Sequence, residues 1–485
     1  MIIETNGLTK RFGTVCALDG VSLSVEEGEV FGVIGPDGSG KTTLYRLLAT
    51  LLLPDKGTAT VCGMDTVREM RGIRKIIGYM PGRFSLYQDL TVEENLRFFA
   101  TLFGTSVEAG YDGIKDIYGQ IERFRNRRAG ALSGGMKQKL ALSCALVHQP
   151  KVLFLDEPTT GVDPVSRKEF WAMIATLRQR GVTVVASTPY LDEVRMCDRV
   201  AFIDKGSIQG TGTPDEILTR FADVFCPTLG SVENSPHSST NTENVIEVND
   251  LVKTFGTFNA VDHISFTVKK GEIFGFLGAN GAGKTTAMRI LTGLSQPSGG
   301  TARVAGFDVS TQYEDIKRHI GYMSQRFSLY GDMTVRENIR LFAGIYGMKD
   351  ADIRTKTESM LDSLGLTAEG DKLVSELPLG WKQKLAFSVS IFHEPDVVFL
   401  DEPTGGVDPA TRLQFWQLIY TAAHRGITVF VTTHYMDEAE YCDRISIMVD
   451  GKIRAIGTPD DLKHEYHMAT MDEVFTFLAR KGKRQ

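Results

Sequence analysis

The fold is decided by the stretch Gly35-Pro36-Asp37-Gly38-Ser39-Gly40-Lys41-Thr42-Thr43, which returns in the second half as Gly278-Ala279-Asn280-Gly281-Ala282-Gly283-Lys284-Thr285-Thr286. Each copy comes directly after a short apolar run, such as Val30–Ile34, and before a helical pattern. Glycines at this spacing let successive backbone N–H groups wrap a phosphate, and the lysine that follows reaches its oxygens. The sequence therefore predicts two phosphate-binding loops, each between a strand and a helix.

A second motif repeats as well, since Leu155-Asp156-Glu157-Pro158-Thr159 returns as Leu400-Asp401-Glu402-Pro403-Thr404. Motifs that recur at nearly the same spacing indicate two copies of one fold. Each copy alternates β-branched runs with helical patterns, which predicts an α/β fold with a mainly parallel sheet core. Serine, asparagine and threonine dominate the stretch between the copies, which is typical of a flexible linker. We expect a first domain over residues 1–225, a linker over 226–244 and a second domain over 245–485.

The composition is that of an ordinary globular protein of 485 residues, with 42% hydrophobic and 24% charged residues. A net charge of −6 argues against broad nonspecific binding to nucleic acid. No run approaches the roughly eighteen apolar residues of a membrane span, and the first ten residues lack the pattern of a signal peptide. The six cysteines show no CxxC spacing, so we expect reduced thiols in a cytosolic protein.

Each copy also places a pair of acidic residues at the end of an apolar run, Asp156-Glu157 in the first copy and Asp401-Glu402 in the second. A buried strand that ends in a carboxylate can deliver it to a magnesium–phosphate site. The threonine that follows the phosphate-loop lysine supplies a hydroxyl to the same ion. We therefore expect Mg²⁺ ligands from both copies, namely Asp156, Asp401, Thr42 and Thr285.

A third motif differs between the copies. Leu132-Ser133-Gly134-Gly135-Met136-Lys137-Gln138 precedes a helical run predicted over residues 139–147. Its serine and glycine N–H groups would lie at a helix N-terminus, where the helix dipole attracts anions. The same place in the second copy reads Leu377-Pro378-Leu379-Gly380-Trp381-Lys382-Gln383, which has lost the hydroxyl and one glycine. Because proline also removes a donor, we predict one good phosphate clamp and one spoiled one.

Residues 133–138 resemble the signature motif of the ATP-binding cassette (ABC) ATPases, and each copy is called a cassette below. The resemblance implies that ATP and Mg²⁺ are the cofactors, and that each cassette adds an antiparallel β layer and a helical subdomain to its parallel sheet. It implies that Glu157 or Glu402 polarises the attacking water, and that Phe12 and Phe255 stack on adenine. The remaining nucleotide contacts would come from Gly35, Asp37, Gly38, Ser39, Gly40, Lys41, Thr42, Thr43, Ser133, Gly134, Gly135, Gly278, Asn280, Gly281, Gly283, Lys284, Thr285 and Thr286.

Two more expected site residues belong to the second cassette only. Gln325 resembles the glutamine that reaches Mg²⁺ and the attacking water, and the matching residue of the first cassette is Gly82. His434 resembles the switch histidine that bonds the γ-phosphate, and its counterpart is Pro189. Neither glycine nor proline has a side chain that can donate or accept a hydrogen bond.

The departures from the family pattern fall on one site. In ABC dimers, nucleotide lies between the phosphate loop of one cassette and the signature of the other. On that geometry the site built on Lys284 is complete, with Gln325, Glu402 and His434, and it is closed by the intact signature. The site built on Lys41 lacks the glutamine and the histidine and faces the spoiled signature. We therefore expect head-to-tail pairing within one chain, with most hydrolysis at the second phosphate loop.

The whole chain resembles the tandem ATPase subunits of bacterial type-2 ABC exporters, the YbhF-like proteins. This resemblance implies separate membrane permeases as partners, a drug-type or cation-type substrate for efflux, and a cytoplasmic chain that is peripheral on the inner face of the cell membrane. Residues 84–99 and 327–342 would receive the coupling helices of the permeases. No nucleic-acid partner is expected.

Two other functions remain open at this point. Tandem ABC ATPases that act on the ribosome also have two cassettes and no membrane span, although they typically carry a long basic linker and two intact sites. The ATPase of a sugar importer is a third candidate, and the Gly-Val-Asp-Pro stretches of this chain resemble exporter cassettes more closely. Co-purification with membranes would favour the exporter function, and co-purification with ribosomes would favour the ribosome-acting ATPase.

Overall fold

The computed structural model describes residues 1–82, 86–225, 243–325 and 329–482. Contacts between Cα atoms separate the chain into two compact units, residues 1–228 with 406–410 and residues 229–405 with 411–485. Each unit is described by itself below. Of the linker expected over residues 226–244, only residues 243 and 244 are described. Of the six cysteines, all except Cys226 are described.

The described part of the first unit forms a four-stranded antiparallel sheet and a six-stranded sheet, with helices around them. Its strands are β1 (Ile3–Phe12), β2 (Val15–Val25), β3 (Val30–Ile34), β4 (Lys56–Val61), β5 (Met64–Asp65), β6 (Ile77–Met80), β7 (Val152–Asp156), β8 (Thr183–Ser187), β9 (Arg199–Asp204) and β10 (Ser207–Gly212). Its helices are α1 (Lys41–Leu48), α2 (Met70–Ile76), α3 (Val92–Leu102), α4 (Val107–Tyr118), α5 (Gly134–Leu146), α6 (Pro164–Gln179), α7 (Leu191–Val194), α8 (Pro214–Arg220) and α9 (Ala222–Phe225).

The second unit repeats this order of elements. Its strands are β11 (Asn244–Phe255), β12 (Phe258–Lys269), β13 (Ile273–Gly278), β14 (Gly299–Val304), β15 (Phe307–Asp308), β16 (Ile320–Met323), β17 (Val397–Asp401), β18 (Thr428–Thr433), β19 (Arg444–Val449) and β20 (Lys452–Gly457). Its helices are α10 (Lys284–Leu291), α11 (Tyr313–His319), α12 (Val335–Ile345), α13 (Asp350–Leu364), α14 (Leu379–Ser390), α15 (Pro409–His424), α16 (Pro459–Glu465) and α17 (Met471–Gly482).

The sheets have the same topology in the two units. The antiparallel sheets have the strand orders β2-β1-β4-β5 and β12-β11-β14-β15. The larger sheets have the orders β10-β9-β3-β8-β7-β6 and β16-β17-β18-β13-β19-β20, and every pairing in them is parallel except those of β10 with β9 and β20 with β19. The predicted α/β fold with a mainly parallel sheet core and an antiparallel β layer is confirmed.

The central strands are buried along their whole length, as in β7 and β17, where all five residues are buried. Strands covered on both faces require such continuous apolar runs. Because parallel strands end at the same edge, the segments that follow β3, β6, β7 and β8 meet there, and those that follow β13, β16, β17 and β18 meet in the second unit. These segments carry the predicted site residues. Within the described residues, no helix is both long and apolar enough to cross a membrane.

Candidate nucleotide-binding and hydrolytic sites

The glycine-rich loops lie where the sequence predicts them, between β3 and α1 and between β13 and α10. Gly40 and Gly283 directly precede the helices with φ angles of 109° and 105°. A Cβ at these positions would lie 2.4 Å from the carbonyl oxygen of Ala17 or 2.1 Å from that of Ala260. Only glycine fits, and its conformation turns the chain directly into the helix, whose first N–H groups have no acceptor within the helix itself and suit an anion.

The two phosphate-loop lysines have the same surroundings. The Lys41 ammonium donates to the carbonyl oxygens of Gly35 and Pro36 at 2.8 and 3.0 Å. The Lys284 ammonium donates to the matching carbonyls at 2.7 and 3.1 Å. Each ammonium also lies 3.7 Å from a carboxylate oxygen of the second acid of its pair, Glu157 or Glu402. Each lysine therefore holds a positive charge between the phosphate loop and the end of the acid-bearing strand.

A cavity of about 390 Å³ in the second unit brings many of the predicted residues together. Its wall includes Phe255, the loop from Asn280 to Thr286, Gln325 and Glu402. Phe258 also lines it and was not predicted. Phe258 is paired with Phe255 across a two-residue hairpin turn, a geometry that the Phe-Gly-Thr-Phe spacing could have indicated.

The first cassette presents a different hairpin. Phe12 ends β1 with 48% of its surface exposed, and its ring lies 5.7 Å from the Lys10 ammonium. Its partner across the turn is Val15. The second cassette therefore offers two aromatic rings where the first offers one ring and one aliphatic side chain.

The buried aspartates that end β7 and β17 are each held by a hydroxyl from the neighbouring strand. Ser187 donates to Asp156 at 3.0 Å, and Thr432 donates to Asp401 at 2.7 Å. Each hydroxyl also accepts the backbone N–H of the glutamate that follows, at 2.9 Å in the first cassette and 3.1 Å in the second. Sequence reasoning missed both hydroxyls, which fix the aspartate and the start of the next turn together.

The glutamates that follow these aspartates share an unusual backbone conformation. Glu157 and Glu402 both have a φ of 48°, in the left-handed region that side-chain-bearing residues seldom adopt. Such strain persists only where surrounding contacts hold it, and it is concentrated at functional sites. The turn keeps each carboxylate within reach of the phosphate-loop lysine.

In each cassette, the predicted threonine and aspartate ligands lie close enough together to bind the same Mg²⁺ ion. The Thr285 hydroxyl lies 3.4 and 3.5 Å from the two carboxylate oxygens of Asp401, and Thr42 has a hydrogen bond with Asp156. Burial raises the pKa of Asp401, and the hydrogen bond from Thr432 offsets part of that rise. Mg²⁺ typically takes one or two carboxylates and hydroxyls, together with phosphate oxygens and water. The donor set therefore fits a magnesium–nucleotide complex.

Three side chains converge on Glu402 in the second cassette. The Gln325 amide donates to Oε2 of Glu402 at 2.7 Å, and Nδ1 of His434 lies 3.1 Å from the same oxygen. Lys284 lies 3.7 Å from the other oxygen. Burial raises the pKa of Glu402, but contact with His434 and the charge of Lys284 outweigh it, so that the pKa falls well below its ordinary value. This carboxylate is held as an anion.

Within the described residues, the Glu157 carboxylate has two side-chain partners, whereas that of Glu402 has three. Gly82 and Pro189 stand where the glutamine and histidine stand in the second cassette, and they bring no side-chain donor. The Thr160 hydroxyl lies 3.4 Å from Glu157, and Lys41 is the nearby cation. Burial raises the pKa of Glu157, and Lys41 offsets only part of the rise, so that the pKa lies above its ordinary value.

The two signature segments differ in how the helices that contain them begin. Ser133 caps α5 by accepting the N–H of Met136 at 3.4 Å. The helix therefore begins at Gly134, five residues before the helical run predicted from the sequence, and Gly134 and Gly135 form its first turn. Pro378 precedes α14 and has no capping side chain to offer. Only the first signature therefore combines a hydroxyl with free glycine N–H groups at a helix N-terminus.

The ABC transporter family profile matches residues 18–160 and 261–405, which include both phosphate loops and both acid pairs. The chain belongs to the ABC transporter family. It is a tandem ATP-binding protein that hydrolyses ATP, as this family does.

One relative matches nearly the whole chain, and another matches about half of it. "Probable multidrug ABC transporter ATP-binding protein YbhF" of Escherichia coli (strain K12) is 41% identical, with 98% of this chain and 97% of the relative covered. "Doxorubicin resistance ATP-binding protein DrrA" of Mycobacterium tuberculosis is 39% identical over 47% of this chain and 70% of its own length. The solved structure of "RNase-L Inhibitor" has a TM-score of 0.68 at 21% identity, covering 95% of this chain and 92% of its own, and it supports the tandem fold alone. The predicted resemblance to the YbhF-like proteins is confirmed.

Proposed function

We propose that this chain is the motor subunit of an ABC exporter, which hydrolyses ATP to drive efflux of a drug-type or cation-type substrate through separate type-2 permease subunits. The observation that carries the proposal is the set of contacts around Glu402, combined with full-length similarity to a multidrug transporter's ATP-binding protein. The chain would act as a peripheral protein on the cytoplasmic face of the cell membrane.

The proposed hydrolytic site is built on the second phosphate loop. Within it Lys284 and His434 would hold the phosphate end of the nucleotide, and Asp401 with Thr285 would hold Mg²⁺. Glu402, kept anionic, would accept a hydrogen bond from the attacking water and orient it. Bound ATP supplies the phosphoanhydride that is cleaved. Ser133, Gly134 and Gly135 would close this site by head-to-tail pairing of the cassettes.

The first phosphate loop would mainly hold nucleotide. It keeps Lys41, Thr42 and Asp156 in the same arrangement as their counterparts. Its glutamate has neither the glutamine nor the histidine contact, and the signature that would face it lacks the serine. Hydrogen-bond donors placed for the transition state are each worth about 10²–10³ in rate, so the loss of several at one site favours binding over hydrolysis.

Exposed apolar side chains mark a pair of matching surfaces where permeases would dock. In α3, Phe98 and Leu102 stand one helical turn apart and are 41% and 64% exposed. In α12, Leu341 and Ile345 occupy matching positions and are 37% and 67% exposed. Apolar patches of this kind are typical of protein interfaces. Of the expected docking segments, residues 84, 85, 327 and 328 lie outside the described part of the chain.

A buried asparagine fixes the loop in front of each docking helix. Asn95 is fully buried, accepts the N–H of Tyr87 at 2.9 Å and donates to its carbonyl at 3.0 Å. Asn338 makes the same two bonds with Tyr330, at 2.8 and 3.0 Å. Tyr87 and Tyr330 are thereby presented with about half of their surface exposed. Two equivalent rigid surfaces suit two permease subunits.

The proposal is tested by affinity purification of the tagged chain from membranes. Recovery of one or two polytopic proteins is expected, and a Phe98→Asp/Ile345→Asp variant should lose them while its ATPase activity remains. Val67→Asp/Leu294→Asp, which introduces the same two charges at exposed residues outside the docking surfaces, is the matched control and should retain the partners. Recovery of ribosomes without a membrane protein would overturn the transport function and favour the translation-factor alternative.

A further inference from the structure

A buried glutamate lies behind each candidate site and has no place in the chemistry described so far. In the second cassette Glu438 is fully buried, and its two oxygens accept from two threonines. Thr404 donates to Oε1 at 2.5 Å, and Thr433 donates to Oε2 at 2.6 Å. Thr404 follows Glu402 by two residues, and Thr433 directly precedes His434. One carboxylate thus joins the two loops that carry the proposed base and the switch histidine.

The first cassette contains the same arrangement. Glu193 is 2% exposed and accepts from Thr159 at 2.7 Å and from Thr188 at 2.5 Å. Thr159 follows Glu157 by two residues, as Thr404 follows Glu402. Thr188, however, precedes a proline and no histidine. We call each of these arrangements a threonine–glutamate–threonine clamp.

An arginine and a tyrosine surround each clamp. The Arg412 guanidinium lies 4.4 Å from the centre of the Tyr435 ring, and its Nε lies 3.7 Å from Glu438. Arg167 lies 4.2 Å from the centre of the Tyr190 ring in the first cassette. The clamp threonine accepts the N–H of this tyrosine in both cassettes, at 3.0 and 3.1 Å. Burial raises the pKa of both Glu438 and Glu193, and the nearby arginine and the threonine donors offset part of that rise.

The loop after the proposed base is also held from the opposite side. Gln383 of α14 donates to the carbonyl of Gly405 at 3.2 Å. In the first cassette Gln138 of α5 donates to the carbonyl of Pro158. Each loop is therefore tied to the last residue of a signature segment and also, through the clamp, to the switch segment.

We propose that Glu438 and Glu193 are positioning residues whose clamps fix the loop after the proposed base to the switch segment. The first cassette keeps its clamp beside Pro189, where there is no histidine to orient. The clamp therefore acts mainly on the loop that starts at Glu402 or Glu157, whose strained φ of 48° needs such support. Displacement of a base by about 1 Å can lower a rate about 100-fold.

The kinetic test uses Glu438→Gln in the full chain and rests on the proposed assignment of hydrolysis to the second cassette. Glutamine keeps the shape but has one acceptor oxygen, so one threonine hydroxyl loses its acceptor and meets an NH₂ donor instead. We expect kcat to fall about 10- to 100-fold, with KM for ATP changed less than about twofold because the phosphate loop is untouched. Glu193→Gln is the matched variant and should lower kcat less. An unchanged kcat in Glu438→Gln, with protein as active by titration as the wild type, overturns the inference.

A second pair of variants separates positioning from a merely structural role. Thr404→Ser retains the hydroxyl and should keep the wild-type kcat. Thr404→Val removes the hydroxyl and should lower kcat as Glu438→Gln does. Loss of stability alone would lower the active fraction and leave kcat per active site unchanged, and that result would count against the clamp. These variants also provide a test if Glu438→Gln does not fold.

Hydrogen exchange gives a readout that is independent of hydrolysis. The Gly405 amide bonds the Glu402 carbonyl at 3.2 Å, and the Thr160 amide bonds that of Glu157 at 3.3 Å. Glu438→Gln should speed exchange at Gly405, and Glu193→Gln should speed it at Thr160. Unchanged exchange in both variants overturns the inference. Glu402→Gln is measured in parallel: if it retains activity, the assignment of hydrolysis fails, while the exchange result still decides the clamp.

Discussion

Glu402 and Glu157 share a backbone conformation and a lysine but differ in the other side chains that contact the carboxylate. Both have a φ of 48° and a lysine ammonium at 3.7 Å. Gln325 and His434 then add contacts to Glu402 at 2.7 and 3.1 Å, and Gly82 and Pro189 add none to Glu157. The result is opposite: the pKa of Glu402 lies below its ordinary value, and that of Glu157 lies above it.

The difference shows where the ionisation of such a base is decided. Burial acts on both carboxylates in the same direction and raises both pKa values. The contact that reverses it at Glu402 comes chiefly from His434, in the segment after β18, and not from the Asp-Glu motif itself. Two identical motifs can thus have different chemistry, because distant loops supply the donors.

The largest expected effect is that of removing each glutamate in turn. Glu402→Gln should lower ATPase activity about 10²–10⁴-fold, since general-base contributions are of that size. Glu157→Gln, the matched variant, should leave much of the activity because its site contributes little hydrolysis. Steady-state ATPase assays on both variants, with nucleotide binding measured to verify folding, decide the matter. Equal losses would contradict the asymmetry drawn here.

The next effect concerns His434, which holds down the pKa of Glu402. His434→Ala should lower kcat about 10²–10³-fold, as loss of a donor to the transition state does. It should also raise the pKa of Glu402. Because the residual activity needs the anionic carboxylate, this activity should fall at a higher pH than in the wild type as the solution is made more acidic. A pH profile of kcat/KM measures this shift. If activity falls at the same acidic pH in His434→Ala as in the wild type, His434 does not set the ionisation of Glu402.

Much of this comparison could be predicted from the sequence, because it depends on local motifs. The phosphate loops, the acid pairs and the missing glutamine and histidine stand in contiguous stretches that repeat, and the structure places those stretches at corresponding sheet edges. The start of α5 was misjudged because two glycines are poor helix formers. There the cap supplied by Ser133 outweighs propensity.

The contacts that hold the site residues in place, as opposed to the site residues themselves, could not be predicted. Thr432 reaches Asp401 from a neighbouring strand 31 residues away in sequence, and Glu438 reaches Thr404 across 34 residues. No periodicity indicates which of many hydroxyls meets which carboxylate, since strand register and loop path decide it. Phe258 is a different case, because the Phe-Gly-Thr-Phe spacing does indicate its pairing with Phe255 across the hairpin turn.

The third prediction concerns the unequal hairpins that carry Phe12 with Val15 and Phe255 with Phe258. Stacking of a base on an aromatic side chain is worth about 1–3 kcal/mol, so Phe255→Ala should raise the KM for ATP about fivefold or more, with kcat little changed. Phe258→Ala should raise it to a smaller extent, and Phe258→Val, which copies Val15 of the first cassette, should do the same. Phe12→Ala is the matched variant, with a smaller effect on steady-state KM. Equal KM values for wild type and Phe255→Ala would show that Phe255 does not stack on adenine.

The smallest effect concerns a feature that both cassettes share. His393 stacks on Tyr346 with ring centres 3.5 Å apart, and its Nε2 lies 3.2 Å from the Ile320 carbonyl oxygen. His148 is placed likewise against Phe103 and Ile77. Burial lowers the pKa of His393 to about 4, although the bond to Ile320 opposes this.

An unfolded histidine titrates near 6.5, so between about pH 6.5 and 4 the unfolded chain binds more protons than the folded one. The contribution of His393 to stability is therefore present above pH 6.5 and is lost as the pH falls through this window. His393→Gln keeps a donor for Ile320 but does not titrate. It should reduce the drop in Tm between pH 7.5 and 5 by about 2–4 °C, whereas Tyr346→Leu, which keeps the histidine, should preserve the drop. An unchanged pH dependence in His393→Gln would mean that other groups govern acid stability, and the shared histidine would then be a packing residue only.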